Sequence, residues 1–237
     1  MLDIVNHGQV EPVLRRIAEA TQRLLGDTIR LDDAEWRAPS LLPGWTRAHV
    51  ATHLARNADA LRGVATAALN GESRDLYPSP EVKYNAIERG SERSGLELQI
   101  DLDTSAGRLA TTFDQVEDWL SPVRGGEGEY PASVLPLVRL QEVSLHHIDL
   151  DCGHTFSDID LIPARWLLQW LTLLLRDDDT VPSVDITSDS GVTASFGGTG
   201  VRRSVTGPDA ALWAWLAGRH DGATLTGAEG LTWPLAG

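Results

Sequence analysis

Two short segments of this chain carry ligand-type side chains at helical spacing: His49-Val-Ala-Thr-His53 and, about 90 residues later, Glu142-Val-Ser-Leu-His146. A separation of four places both polar side chains of a pair on one face of a helix, one turn apart. If the two faces meet, His53, Glu142 and His146 offer two imidazoles and a carboxylate to one ion. That donor set suits zinc and leaves a coordination position open for chemistry, which favours an enzyme over a passive binding module. Glu142 and His146 lie among Val138, Leu140, Val143 and Leu145, where an unpaired carboxylate is costly to bury and a metal satisfies both groups.

The neighbours of these three residues admit more than one role. His49, one turn before His53, can be a fourth ligand, a partner that orients a ligand, or a wall of the reaction pocket, and the wall is the preferred reading. Asn57, one turn after His53, can hydrogen-bond substrate or cosubstrate, or serve as a structural amide. Asp149 follows His146 by three residues and either orients its imidazole or ends the helix as a solvated acid. His147 points about 100° away from His146, so it faces another helix or solvent and does not share an ion with Glu142.

These side chains need long helices to hold them, and the pattern supplies four. Apolar residues recur at helical spacing from Val10 to Leu25; a second helix opens at Thr46, a plausible N-cap, and runs toward Gly71. A polar stretch from Glu72 to Gly95, with room for a short helix, can act as a lid or loop over the site. A third helix is read from Leu96 to Leu120, and after Gly125-Gly126-Glu127-Gly128 a fourth from about Pro131 to Leu150. The expectation is an antiparallel four-helix bundle over residues 1–154. From 155 to 237 the pattern changes to an apolar helix, Pro163 to Arg176, then strand-like runs at Val184–Ile186, Val192–Phe196 and Val201–Val205, and a last helix from Asp209 to Leu216. This is read as a small α/β domain, giving a fold class of α plus α/β. Trp166, Trp170, Trp213 and Trp215 have the spacing of core residues, and Asp177-Asp178-Asp179 reads as a solvated helix end.

Charge and cysteine content narrow the function classes. The 34 acidic against 20 basic residues give a formal charge of −14, which opposes phosphate backbones and anionic lipid surfaces, so neither nucleic acid nor membrane is an expected partner. No apolar run is long enough to span a bilayer and the start lacks the pattern of a signal peptide, so the expected location is the cytoplasm. A single cysteine, Cys152, precludes an internal disulfide and a cysteine-based metal cluster, and reads as a buried helix-end residue.

The run Ser40-Leu-Leu-Pro-Gly-Trp-Thr-Arg-Ala-His49-Val50 with His53 and Asn57, and the run Glu142-Val-Ser-Leu-His146-His-Ile-Asp149-Leu150, resemble the mycothiol-dependent maleylpyruvate isomerases, within the wider DinB-like four-helix metalloprotein superfamily. Tyr77-Pro-Ser-Pro-Glu81 leading to Gly90-Ser91, and Leu216-Ala-Gly-Arg219, are similar to the isomerase branch, so the resemblance extends over nearly the whole chain. It implies a DinB-like bundle with zinc on His53, Glu142 and His146 and mycothiol as thiol cosubstrate. The implied reaction is conversion of maleylpyruvate to fumarylpyruvate, in gentisate-type aromatic degradation. A thiolate adds to the cis double bond, the resulting single bond rotates, and expulsion of the thiol leaves the trans isomer. The protein then needs no nucleophile of its own. A dianionic substrate calls for local positive charge, and Arg219 is the first candidate for a carboxylate clamp, ahead of Arg47 and Arg56. His49, Asn57 and Arg219 are thus the candidate catalytic residues, with Asn57 and Arg219 also available to the cosubstrate. Two alternatives stand beside the isomerase: a mycothiol S-transferase acting on an electrophile, and a non-catalytic binding or regulatory DinB-like protein.

Overall fold

The computed structural model describes residues 7–125 and 128–235. Residues 1–6, read above for a signal segment, and the centre of the glycine-rich turn lie outside the described residues. The described chain falls into two units, one ending at His154 and one beginning at Thr155.

The first unit is built on four long helices: α1 (Glu11–Thr28), α3 (Arg47–Leu69), α5 (Gly95–Phe113) and α6 (Val134–Asp149). Local chemistry fixes where they start. The Thr46 side chain accepts from the His49 amide at 3.4 Å while the His49 ring accepts from the Thr46 amide at 3.3 Å, a reciprocal cap worth about 1 kcal/mol. Ser94 and Glu97 cap α5 in the same way. Packing closes the bundle as a ring in which α1 neighbours α5 and α6, and α3 neighbours the same two. Arg47 at the start of α3 bonds the Leu150 carbonyl just past α6, and Thr28 at the end of α1 bonds Gln99 in the first turns of α5. One end of the bundle therefore gathers the last turns of α1 and α6 and the first turns of α3 and α5. The core between them holds Leu24, Trp36, Val50, Leu54, Leu98 and Val143.

Three local readings of the sequence are corrected here. The third helix stops at Phe113 rather than Leu120. Asp118 accepts from the Leu120 amide and the Ser121 hydroxyl, which turns the chain, and Trp119 folds back edge-on against Phe113 at 5.5 Å. Of the apolar residues that seem to prolong the helix, Trp119 is buried by this return while Leu120 is left exposed. The glycine-rich link is the tip of a hairpin, β1 (Pro122–Gly125) against β2 (Gly128–Pro131), with Val123 opposite Tyr130. A short helix α2 (Asp33–Arg37) was not anticipated, although Asp32 and Glu35 spell its capping box. The polar stretch contains α4 (Pro80–Ser91), started by the Ser79 side chain.

The second unit opens with a 3₁₀ turn (Phe156–Asp158) and α7 (Leu161–Leu174) and carries a three-stranded sheet of β3 (Pro182–Ser188), β4 (Thr193–Phe196) and β5 (Thr199–Gly207). β3 is central, antiparallel to β4 and parallel to β5. α8 (Asp209–Leu216) packs on α7 and buries Trp213 and Trp215. The fold is thus mixed, mainly helical first and α/β second, as the periodicities require. Among the described residues no helix is long and apolar enough to cross a membrane.

Candidate metal centre

The i, i+4 pair of α6 and His53 of α3 meet inside the bundle. Their ligand atoms lie within 4.8 Å of one another. His53 Nε2 is 2.9 Å from Glu142 Oε2, His146 Nε2 is 3.5 Å from the same oxygen, and the two imidazoles meet nearly perpendicular with centroids 4.6 Å apart. Ligands of a tetrahedral zinc at ordinary bond lengths stand about 3.3 Å from each other, and these two separations bracket that value. His146 Nε2 is buried without a hydrogen-bond partner, although burial of such a nitrogen is costly. Its other nitrogen, Nδ1, is 2.8 Å from Asp149 Oδ2, and that carboxylate is fully buried. Asp149 therefore sets the tautomer and aims the Nε2 lone pair at Glu142, as carboxylates commonly do behind metal-bound histidines. An orphaned, aimed nitrogen beside a carboxylate and a second imidazole fits a divalent ion.

The electrostatics of the three groups agree with this arrangement. Burial alone raises the Glu142 carboxyl, but the two imidazoles beside it, His146 at 3.5 Å and His53 at 2.9 Å, outweigh it and hold the group ionised well below the usual carboxylate range. Burial lowers His53 and keeps it neutral, the form that can donate a lone pair. Burial lowers His146 too, yet the neighbouring Asp149 and Glu142 carboxylates prevail and raise it.

The other residues singled out from sequence take distinct positions. His49 does not face the ion site; its Nδ1 is tied to the Thr46 cap, its Nε2 is 3.2 Å from the Ser91 hydroxyl of α4, and its ring stacks on Trp45. That is a wall position joining α3 to α4. Asn57 Oδ1 accepts from Arg139 Nη1 at 3.0 Å, which turns the amide oxygen toward a buried guanidinium rather than toward the triad. Arg47 spends its donors on the Leu150 and Asp151 carbonyls at the end of α6, and Arg56 is paired with Asp101 at 2.7 Å. His147 faces α1, 3.0 Å from Asp27 and stacked on His154 at 3.9 Å. Arg219 lies in the second unit just after α8, where its Nη1 donates to the Ala217 carbonyl at 2.7 Å. Cys152 is half-buried, and burial pushes its thiol up, away from a ready nucleophile.

Sequence reasoning missed Tyr77 and Arg139. Arg139 is buried on α6, one turn before Glu142, and bonds the Leu54 carbonyl and Asn57 of α3, locking the two ligand-bearing helices in register. Burial first, and then the Glu142 charge, pushes the Tyr77 hydroxyl well above its ordinary value, so it stays a neutral phenol beside the carboxylate. Its place in the segment before α4 has no periodicity that could have flagged it. Trp45 closes another side, edge-on to His53 at 5.6 Å.

Comparison with known proteins points to one family. The family model described as the mycothiol maleylpyruvate isomerase N-terminal domain matches residues 15–151. Crystal structures of the mycothiol-dependent maleylpyruvate isomerase and of a histidine-to-alanine mutant of it superpose with a TM-score of 0.86 in each case. They are 29% and 28% identical to this chain, and each alignment covers 96% of this chain and 97% of the other. Among curated proteins no significant sequence match is found.

Proposed function

Because this chain belongs to the mycothiol maleylpyruvate isomerase family, we propose that it is a zinc- and mycothiol-dependent cis–trans isomerase that converts maleylpyruvate to fumarylpyruvate. The observation that carries the reading is the aimed, unpartnered Nε2 of His146 beside Glu142 and His53, inside a bundle whose likeness to the isomerase covers almost the entire chain. His53, Glu142 and His146 would hold the ion, which when bound favours the thiolate form of a thiol near neutral pH. The chain's own residues do the rest by placement. Asp149 keeps His146 in the ligating tautomer, Arg139 fixes α6 against α3, and the Tyr77 hydroxyl offers a neutral donor next to Glu142. Trp45, edge-on to His53, shields one side of the site, and His49 behind it stacks on Trp45 and joins α3 to α4. Arg219 is proposed as a carboxylate-binding cation.

The chemistry balances without a protein nucleophile. The thiolate forms one C–S bond as the alkene π pair moves onto the conjugated carbonyl; rotation follows, and re-formation of the double bond expels the same thiolate. Thiol is therefore regenerated in every turnover. The test is a reaction with maleylpyruvate in large excess over mycothiol, followed by proton NMR. Complete conversion to the trans acid with the thiol unchanged supports the isomerase. Conversion that stops when the thiol is consumed, with a thioether as product, identifies an S-transferase instead.

A further inference from the structure

A cavity of about 720 Å³, within the range of small-molecule sites, opens in the helical unit between α3, the segment leading into α4, the β1–β2 hairpin and the first turns of α6. Leu61, Val64, Leu135 and Val138 give it an apolar floor. Two cations look into it: Arg124 of β1 and Lys83 of α4, which is the only lysine in the chain. Among the described residues neither forms an ion pair, although Glu129 lies opposite Arg124 in the hairpin register. In a chain with 34 acids against 20 basic residues, Lys83 and Arg124 bring two cations to one apolar cavity. Asp75, the acid on this wall, is exposed.

The cavity also adjoins the candidate metal centre. Tyr77 forms part of its lining, and the buried Tyr77 hydroxyl has no hydrogen-bond partner. The Lys83 ammonium stands 5.4 Å from the Tyr77 ring centroid, and its charge reaches His53 while that of Glu142 reaches Tyr77. An ammonium partly withdrawn from water beside apolar side chains attracts an anion more strongly than an exposed one, because less solvent screens the pair.

We infer that this cavity is the substrate subsite: Lys83, assisted by Arg124, holds a carboxylate of a short unsaturated keto acid, the apolar floor covers its carbon chain, and the Tyr77 hydroxyl donates to an oxygen nearer the metal. The identity of the ligand rests on the isomerase reading; the site for a small dicarboxylate does not. Lys83 is in this account a binding residue and takes no part in thiol activation.

Succinylpyruvate, the saturated analogue of the substrate, cannot accept a thiolate and so reports binding alone. Calorimetric titration of the zinc-loaded wild-type protein should show saturable binding, weakened roughly 10- to 100-fold in Lys83→Met and largely kept in Lys83→Arg, with metal content and thermal unfolding unchanged. Arg124→Gln should weaken it less. In turnover of maleylpyruvate, Lys83→Met should raise KM by a similar factor with a smaller effect on kcat. Absence of dianion binding by the wild type, or equal binding by wild type and Lys83→Met, overturns the inference. A wild type that binds succinylpyruvate in a Lys83-dependent manner yet fails to isomerise maleylpyruvate leaves this site standing and removes the isomerase reading instead.

Discussion

His146 is the side chain on which the site turns, because one of its nitrogens is held by Asp149 and the other is left to the triad. Loss of a primary ligand and loss of its support should therefore differ in degree. Purified His53→Ala should contain almost no zinc, whereas Asp149→Asn should still fold and load but bind zinc roughly 10- to 100-fold more weakly, as measured by competition with a chromophoric chelator. Equal affinity in Asp149→Asn and wild type would reduce Asp149 to a helix-end acid. Glu142 and His146 were legible as a pair because i, i+4 spacing is a local property of one helix; His53 joined them only on the condition that two helix faces meet, and Asp149 was read as either an orienting acid or a solvated helix end. Tyr77 and Arg139 were not: their proximity to Glu142 depends on how α4's leading segment and α3 lie against α6, which spacing along the chain does not encode. Asn57 was named for the right helix face, but a tertiary contact with Arg139 decides which way its amide points.

At the scale of elements, the contact of α4 with α3 is set by a residue with no side chain. A Cβ on Gly90 would overlap the Thr52 methyl group, and Thr52 is fully buried one residue before His53. Alanine at 90 gains up to about 1 kcal/mol of helix propensity but forces two helices apart, so Gly90→Ala should lower stability by about 1–3 kcal/mol net. Thr52→Ser, which removes the obstructing methyl, should restore part of that loss in the double variant, and denaturant unfolding of the four proteins measures the coupling. Additive effects would place the strain elsewhere.

The contact of α6 with α1 carries a pH dependence. Burial, with the neighbouring His154, pushes His147 down to about 4 despite Asp27. Between the unfolded value near 6.5 and that figure, the unfolded chain takes a proton that the folded chain refuses. Stability is thus complete above about pH 6.5 and falls with acidification, by about 2 kcal/mol between pH 7 and pH 5. Urea midpoints should show this loss in the wild type and a smaller one in His147→Phe; identical slopes would assign the acid sensitivity to other groups. The long helices themselves were readable from apolar periodicity and capping residues. The early end of α5 and the hairpin were not, since Trp119 folds back on Phe113 through contacts that a helical pattern mimics, and four-residue strands leave little alternation to read.

For the molecule as a whole, a charge of −14 means that an anionic substrate is repelled everywhere except where cations are concentrated. On the isomerase reading Arg219 is one such cation, so Arg219→Ala should lower kcat/KM by roughly 10- to 150-fold at unchanged zinc content, with Arg219→Lys restoring part of it. Wild-type efficiency in a zinc-replete Arg219→Ala protein would leave the second unit without a part in catalysis. The central claim, that an ion on His53, Glu142 and His146 and an added thiol act together, is tested most directly by ultraviolet absorbance of maleylpyruvate mixed with the zinc-loaded protein, the chelator-stripped protein and the zinc-reconstituted protein, each with and without mycothiol. The account predicts rapid conversion to fumarylpyruvate only where zinc and mycothiol are both present, and its return on reconstitution. Conversion at the same rate by stripped protein, or by loaded protein without any thiol, would contradict it.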